Sequence, residues 1–341
     1  MTARIVGVGK ALPDNVLTNE DLEKMVDTND EWIVERTGIR ERRIAAADEG
    51  TATLGAKAAQ MALDTAGLTA DDIDLIICAT CTGDGMFPAS ASLIQEALGA
   101  KHAAAFDINA VCVGFVTALS TATQFINAGA YERVLVVGAE VLSRIVNWKD
   151  RGTCILFGDG AGAVVLERGE SGGVGSFLLR SDGSGAKYLY ANGPATMPET
   201  PLACEGYYMV MDGREIFRFA VKAMEDASRQ VIEAAGWKPE DVDLIVPHQA
   251  NLRIILNTAE RLGVPQDRVY VNIQRYGNTS SATIPVALCE AWEDGRIKEG
   301  DKLVFVAFGG GLVWGANVVE WTGIGSSLHK KEAVAAPASL P

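Results

Sequence analysis

The sequence predicts an α/β protein built from two similar halves, and three observations carry that prediction. The first is an internal repeat: "TAGLTADDIDLIICAT" (Thr65 to Thr80) aligns without gaps, at an offset of 169 residues, with "AAGWKPEDVDLIVPHQ" (Ala234 to Gln249). The second is that the same offset carries "RVLVVGAE", from Arg133, onto "KLVFVAFG", from Lys302. The third is that each half alternates helical patterns with short, largely apolar strands, as expected where helices cover both faces of a sheet.

Composition sets the outer bounds. With 341 residues, 48% hydrophobic and 22% charged, the chain can bury a large core, and its length suggests about two domains. A net charge of -14 argues against broad binding of nucleic acid or anionic membranes, while leaving room for a local basic patch. The start "MTARIVGVGKALP" lacks the charged and then apolar pattern of a signal peptide. Six cysteines at irregular spacing then read as reduced thiols of a cytoplasmic protein. The longest uncharged run, Leu303 to Val319, falls short of the roughly 20 residues of a membrane span. Interrupted by Gly309, Gly310, Gly311 and Gly315, it predicts two strands around a glycine turn. The expected divisions are an N-terminal half over 1–170, a C-terminal half over 171–321, and a mobile tail over 322–341 without apolar periodicity.

In the N-terminal half, "DINAVCVGF" places Cys112 where a strand hands over to a helix. Phe115, Leu119, Ala122 and Ile126 recur at helical spacing, and Gly129 closes the run. Free backbone N–H groups at a helix start favour an anion, so a lowered thiol pKa is expected for Cys112. The repeat maps Cys112 onto Ser281 in "YGNTSSATIPVAL", which opens a second helix with Asn278, Thr279 and Ser280 as capping candidates and Pro285 in the first turn.

Of the three histidines, His329 lies in the tail and His102 in a loop, whereas His248 ends the strand "DVDLIVPH". Catalytic groups of α/β folds gather at the carboxyl ends of strands. Cys112, His248 and Asn278 all occupy such ends or the loops that follow them. Cys78 and Cys81 form a CxxC with no second pair to complete a zinc site, so no metal is expected. Neither "GVGK" nor "FGDGAGAVVL" has the context of a phosphate-binding loop.

Several motifs together carry a family resemblance: "DINAVCVGF", "VPHQANLRII", "YGNTSSATIP", "AFGGGLVWG", "NDEWIVERTGIRERR" and "RGTCILFGDGAGAV". From about Ile5 to Trp321 the chain resembles β-ketoacyl-acyl-carrier-protein synthase III, of the thiolase-like condensing enzymes. The resemblance implies a five-layered α/β/α/β/α fold, a homodimer, and a Cys112, His248, Asn278 triad. It implies an oxyanion hole at Cys112 and Gly310, and Phe308 beside the malonyl carboxylate. Trp32, Arg36 and Arg151 would grip the coenzyme A nucleotide, Asn251 the pantetheine, and Phe87 would reach across the dimer into the acyl pocket. Val306 and "TGDGM" depart from some relatives, which leaves the primer open.

The residue types suit that chemistry. Cys112 would accept the acyl group of an acyl-coenzyme A, and malonyl-acyl-carrier protein would then lose carbon dioxide to give an enolate. A neutral His248 and Asn278 can both donate hydrogen bonds to the oxygen where charge develops. Acyl-coenzyme A and malonyl-carrier protein are substrates, and no cofactor is expected. Arg214, Arg218 and Lys222 recur every four residues, and Arg253 and Arg261 follow His248 on a helix. Such faces read as solvated, with ion pairs to Glu215, Glu225 or Glu260, or as a dock for an acidic carrier protein. A papain-like hydrolase lacks the duplication and the GGG segment, and a noncatalytic subunit would lack the nucleophile. A non-decarboxylating acyl-coenzyme A condensing enzyme or related acyltransferase remains the alternative.

Overall fold

A computed structural model describes residues 1–193, 196, 206–322 and 324. Most of the expected tail, with His329, lies outside these residues.

Nine strands form one hydrogen-bonded sheet: β1 (Thr2–Ala11), β2 (Leu75–Ala79), β3 (Ala104–Ile108), β4 (Arg133–Val141), β5 (Asp159–Gly169), β6 (Gly173–Ser181), β7 (Leu244–Pro247), β8 (Lys302–Gly309) and β9 (Val313–Glu320). Their order is β7-β8-β9-β6-β1-β5-β4-β2-β3. A single register pair, Ala3 with Val174, joins β6 to β1, so the sheet divides there into two parts. In the first part β2 is parallel to β3 and β4, and β5 is antiparallel to β4 and β1. The second part repeats the arrangement: β7 is parallel to β8, and β9 is antiparallel to β8 and β6. The counterpart of β3 is reduced to one parallel bridge between Val269 and Ile245.

Side-chain alternation explains the layering, because successive residues of a strand point to opposite faces. Leu75, Ile77 and Ala79 face one core while Ile76 and Cys78 face another. Leu303 and Phe305 share the first of these cores, with β7 residues and with helices α4 (Gly114–Asn127) and α7 (Thr283–Glu293). Those two helices therefore form a central layer between the sheet parts. Beyond the N-terminal helix α1 (Asp30–Thr37), helices α2 (Thr51–Ala66) and α3 (Ser90–Leu98) cover the outer face of one part, and α5 (Gly213–Ala234) and α6 (Leu252–Leu262) that of the other. The result is the expected five layers. The apolar run around the GGG segment forms β8 and β9, as read.

The central helices approach the sheet closely. A Cβ on Gly138 of β4 would come to 2.4 Å from the carbonyl oxygen of Ser281, so only glycine fits there. Among the described residues, no helix is long and apolar enough to cross a membrane.

Candidate active site

Cys112 lies in a short 3-10 turn, Val111–Val113, between β3 and α4. The chain enters that turn through Val111 at φ 47°, a left-handed conformation that is costly for a β-branched residue. At the repeat position Ser280 adopts φ 49°, again before a 3-10 turn and the helix α7. Both halves thus bend the backbone alike to present residue 112 or 281. The outcome differs: Ser281 is sealed, its Oγ lying 2.8 Å from Ala79 O and 2.9 Å from Glu140 Oε1.

Cys112 instead borders two cavities. One, of about 530 Å³, is a tunnel running from Trp32 and Arg36 past Asn251 to His248, Asn278, Phe308 and Cys112. The other, of about 1050 Å³, is bounded by Thr80, Cys81, Thr82, Leu142, Gly310 and Cys112. Cys112 thus stands between an entrance and a second chamber.

The thiol is not the activated anion expected from its helix start. Burial pushes its pKa up to about 12, outweighing the Ser280 hydroxyl and the local backbone N–H, which favour the thiolate. At 6% exposure the helix-end field is the weaker influence. Burial also depresses the His248 pKa to about 3, so the ring is neutral at physiological pH. His248 sits just beyond β7, its backbone N–H donating to Val306 O at 2.8 Å and its ring against Phe308 at 5.8 Å between centroids.

Asn278 serves its own loop. Its Oδ1 accepts from Ser280 N–H at 2.8 Å, which leaves the Nδ2 donors for other acceptors, and the residue borders the tunnel. Thr279 makes no side-chain cap, and the helix start at Thr283 has none either, so only Asn278 of the three capping candidates acts as one. Gly309 packs against Cys112, where a Cβ would lie 3.0 Å from the Cys112 nitrogen. The adjacent Gly310 borders the chamber.

At the tunnel mouth the guanidinium carbons of Arg36 and Arg151 lie 4.9 and 5.0 Å from the Trp32 ring centroid, an aromatic slot lined with positive charge. Asn251 caps α6 by accepting from Arg253 N–H and donates to Arg36 O, so its amide also ties the two sides of the mouth together. Arg214, Arg218 and Arg253 border the mouth, whereas Lys222 and Arg261 do not. Arg218 pairs with Glu215 at 3.1 Å and Arg261 with Glu225 at 3.4 Å, two of the anticipated ion pairs. Phe87 is 83% exposed and borders neither cavity of its own chain. Val306 is buried in the sheet and borders neither cavity, while Gly85 and Met86 of the "TGDGM" segment border the chamber.

Two neighbours escaped sequence reasoning. Glu140, fully buried, accepts from Thr80 Oγ1, Cys81 N and Thr82 Oγ1 and so pins the chamber wall to Ser281. Thr283 Oγ1 lies 2.7 Å from His248 Nδ1. The repeat pairs each of the two helix starts, but it gives no signal for either of these contacts. Among the described residues, no cluster of His, Cys, Asp and Glu could hold a metal ion.

Residues 106–183 match the family described as 3-oxoacyl-[acyl-carrier-protein (ACP)] synthase III, and residues 232–321 match its C-terminal counterpart. The chain is 50% identical over 325 residues to the β-ketoacyl-[acyl-carrier-protein] synthase III of Clostridium acetobutylicum, covering 94% of this chain and 99% of that one. It is 52% identical over 322 residues to that of Listeria innocua, covering 94% and 99%. The 3-oxoacyl-[acyl-carrier-protein] synthase III structure from Aquifex aeolicus VF5 superposes with a TM-score of 0.89 at 49% identity, covering 94% and 100% of the two chains. A priming β-ketosynthase of the R1128 polyketide pathway superposes at 0.90 with 36% identity, covering 95% and 97%.

Proposed function

The chain belongs to the β-ketoacyl-acyl-carrier-protein synthase III family of condensing acyltransferases, and from that premise we propose how its residues join an acyl-coenzyme A primer to malonyl-acyl-carrier protein, initiating fatty acid synthesis. The observation that carries the reading is the placement of Cys112 between two cavities, with His248 and Asn278 on the tunnel side only. The primer enters past Trp32, Arg36 and Arg151, and Cys112 sulfur attacks its thioester carbonyl. Coenzyme A leaves as the thiol, taking one proton, and the acyl chain occupies the chamber. The same tunnel then admits the malonyl thioester.

Loss of carbon dioxide leaves two electrons on the adjacent carbon, delocalised onto the thioester oxygen. His248 and the Nδ2 of Asn278 donate to that oxygen, stabilising charge where it develops. Phe308 lines the tunnel with apolar surface, which disfavours the malonyl carboxylate relative to neutral carbon dioxide. The enolate carbon attacks the acyl carbonyl, whose oxygen is held by the backbone N–H groups of Cys112 and Gly310. Cys112 sulfur departs and regains a proton. No step calls for a cofactor.

Arg214, Arg218 and Arg253 at the mouth supply positive charge to meet an acidic carrier protein, with Lys222 and Arg261 further along the same helices. Exposed Met86 and Phe87, together with the free edge of β3, fit a homodimer in which Phe87 closes the chamber of the partner. The free thiols of Cys78, Cys81, Cys112, Cys154 and Cys289 fit a reducing, cytoplasmic location.

The test is incubation with an acyl-coenzyme A and labelled malonyl-carrier protein, reading the mass of Cys112 peptides and carbon dioxide release. Cys112→Ser should abolish the acyl mass shift. Acyl groups mapping to Cys78, Cys81 or Cys154 would refute the assignment, and condensation without labelled carbon dioxide would favour the non-decarboxylating alternative.

A further inference from the structure

The His248 ring is neutral and carries one N–H, so its use as a donor depends on which nitrogen bears that hydrogen. The geometry points to Thr283 as the positioning residue that decides this: its hydroxyl donates to Nδ1, leaving Nε2–H to face the malonyl thioester. The inference rests on the role proposed above for His248 and specifies what enforces it.

Thr283 Oγ1 and His248 Nδ1 are 2.7 Å apart, and both residues are buried. A hydroxyl has a single hydrogen, and a second acceptor competes for it, Ser280 O at 2.9 Å. That carbonyl already accepts the backbone N–H of Thr283. Among the described residues, Thr283 is the hydrogen-bond partner of the ring nitrogen, which would otherwise be a bare buried acceptor. Donation to Nδ1 therefore satisfies that nitrogen as an acceptor, while Ser280 O keeps its bond from the Thr283 backbone. The competing arrangement turns the hydroxyl to Ser280 O, makes Nδ1–H the donor, and leaves a lone pair at Nε2.

The demand of the thioester oxygen discriminates between the two. Asn278 borders the tunnel with its Oδ1 committed to Ser280 N–H, so it offers Nδ2 as a donor in either case. A thioester oxygen receives a second donor only if the imidazole offers Nε2–H. Phe308 stacks edge-on against the ring and limits its rotation away from this pairing. The repeat places Gly114 opposite Thr283, so this hydroxyl belongs to the C-terminal half alone, the half that carries the histidine.

The test combines kinetics with nitrogen NMR. The chain has three histidines, so the spectrum of protein labelled with 15N-histidine is sparse, and His248→Ala assigns the relevant signals. In the protein acetylated on Cys112, Nε2 should carry the proton and Nδ1 should not. Thr283→Val, which keeps the shape and removes the hydroxyl, should slow labelled carbon dioxide release at least about tenfold more than it slows Cys112 acylation, the scale of a weakened oxyanion donor. Thr283→Ser should restore release to within about threefold of wild type.

A proton on Nδ1 of the acetylated protein would overturn the inference. So would normal carbon dioxide release by Thr283→Val, or equal losses in Thr283→Val and Thr283→Ser with a lowered melting temperature, which marks a packing role. His248→Ala separates the two layers of argument. If it too releases carbon dioxide normally, the role of His248 fails; if it is slow while Thr283→Val is normal, only the assignment of Thr283 fails.

Discussion

Raising the pH is the simplest perturbation of Cys112, the proposed nucleophile, and the structure sets the size of the response. Burial moves the Cys112 thiol from 9.0 to about 12, corresponding to ~4 kcal/mol against the anion. At pH 7 the thiolate fraction is then roughly 10⁻⁵, against about 10⁻² for the unperturbed thiol. Higher basicity makes each thiolate more reactive, with a Brønsted slope of about 0.4–0.5, so roughly 16- to 30-fold of that 1000-fold deficit is recovered. Cys112 should therefore react with iodoacetamide about 30- to 60-fold more slowly than an unperturbed thiol at pH 7. Its rate should rise about tenfold per pH unit from 6 to 9 without levelling off. Mass spectrometry of the Cys112 peptide, with Cys112→Ser as control, gives the profile. A plateau beginning near pH 6 or 7 would reveal a preformed thiolate paired with a protonated His248 and would refute the argument. The direction matters for catalysis, since a thiol this basic must lose its proton during attack on the thioester, not beforehand.

Trp32→Ala should raise KM for the acyl-coenzyme A by about 2- to 30-fold, as expected for loss of cation–π contacts of roughly 0.5–2 kcal/mol, with kcat changed less; equal effects on both parameters would remove Trp32 from nucleotide binding. The double substitution Arg218→Glu with Arg253→Glu should raise KM for malonyl-carrier protein and remove most of its salt dependence, while acylation by a small acyl-coenzyme A is nearly unchanged. Normal use of carrier protein by that variant would show that the mouth arginines do not dock it. Gly138→Ala drives a Cβ to 2.4 Å from Ser281 O and should cost about 1–3 kcal/mol in denaturant unfolding; an unchanged midpoint would mean that the central helix has room to shift.

Much of the architecture could be read because duplication writes the same signal twice. The strand starts at Leu75 and Arg133 recur at Leu244 and Lys302, and the 3-10 turns at Ala70 and Pro239 keep the same spacing. Cys112 and His248 could be placed because each follows a strand, and Asn278 because the repeat sets it just before the helix start that mirrors the one at Cys112; the segment ahead of Asn278 is a short helix, Ile273–Tyr276, not a strand. The thiol pKa was misjudged because the helix start is visible in sequence whereas the depth of burial depends on both halves. Thr283 and Glu140 went unread for a related reason. A hydroxyl in a first helical turn and an acid at a strand end are ordinary locally, and only the fold brings them to His248 and to the chamber wall. Arg42 is a further case, since nothing near it in sequence announces a guanidinium buried against Leu17 O, Asn19 and Ile155 O.

The two mirrored helix starts have become unlike in a way that divides labour. One contributes the sulfur, and the other half contributes the groups that answer it, while the serine that mirrors the cysteine has been closed off by Glu140 and Ala79. Under the proposed mechanism, activity is a property of the seam, not of either half. A half taken by itself would hold a thiol with no donors opposite, or donors with nothing to serve, so selection on catalysis also selects the fit between two structurally redundant pieces.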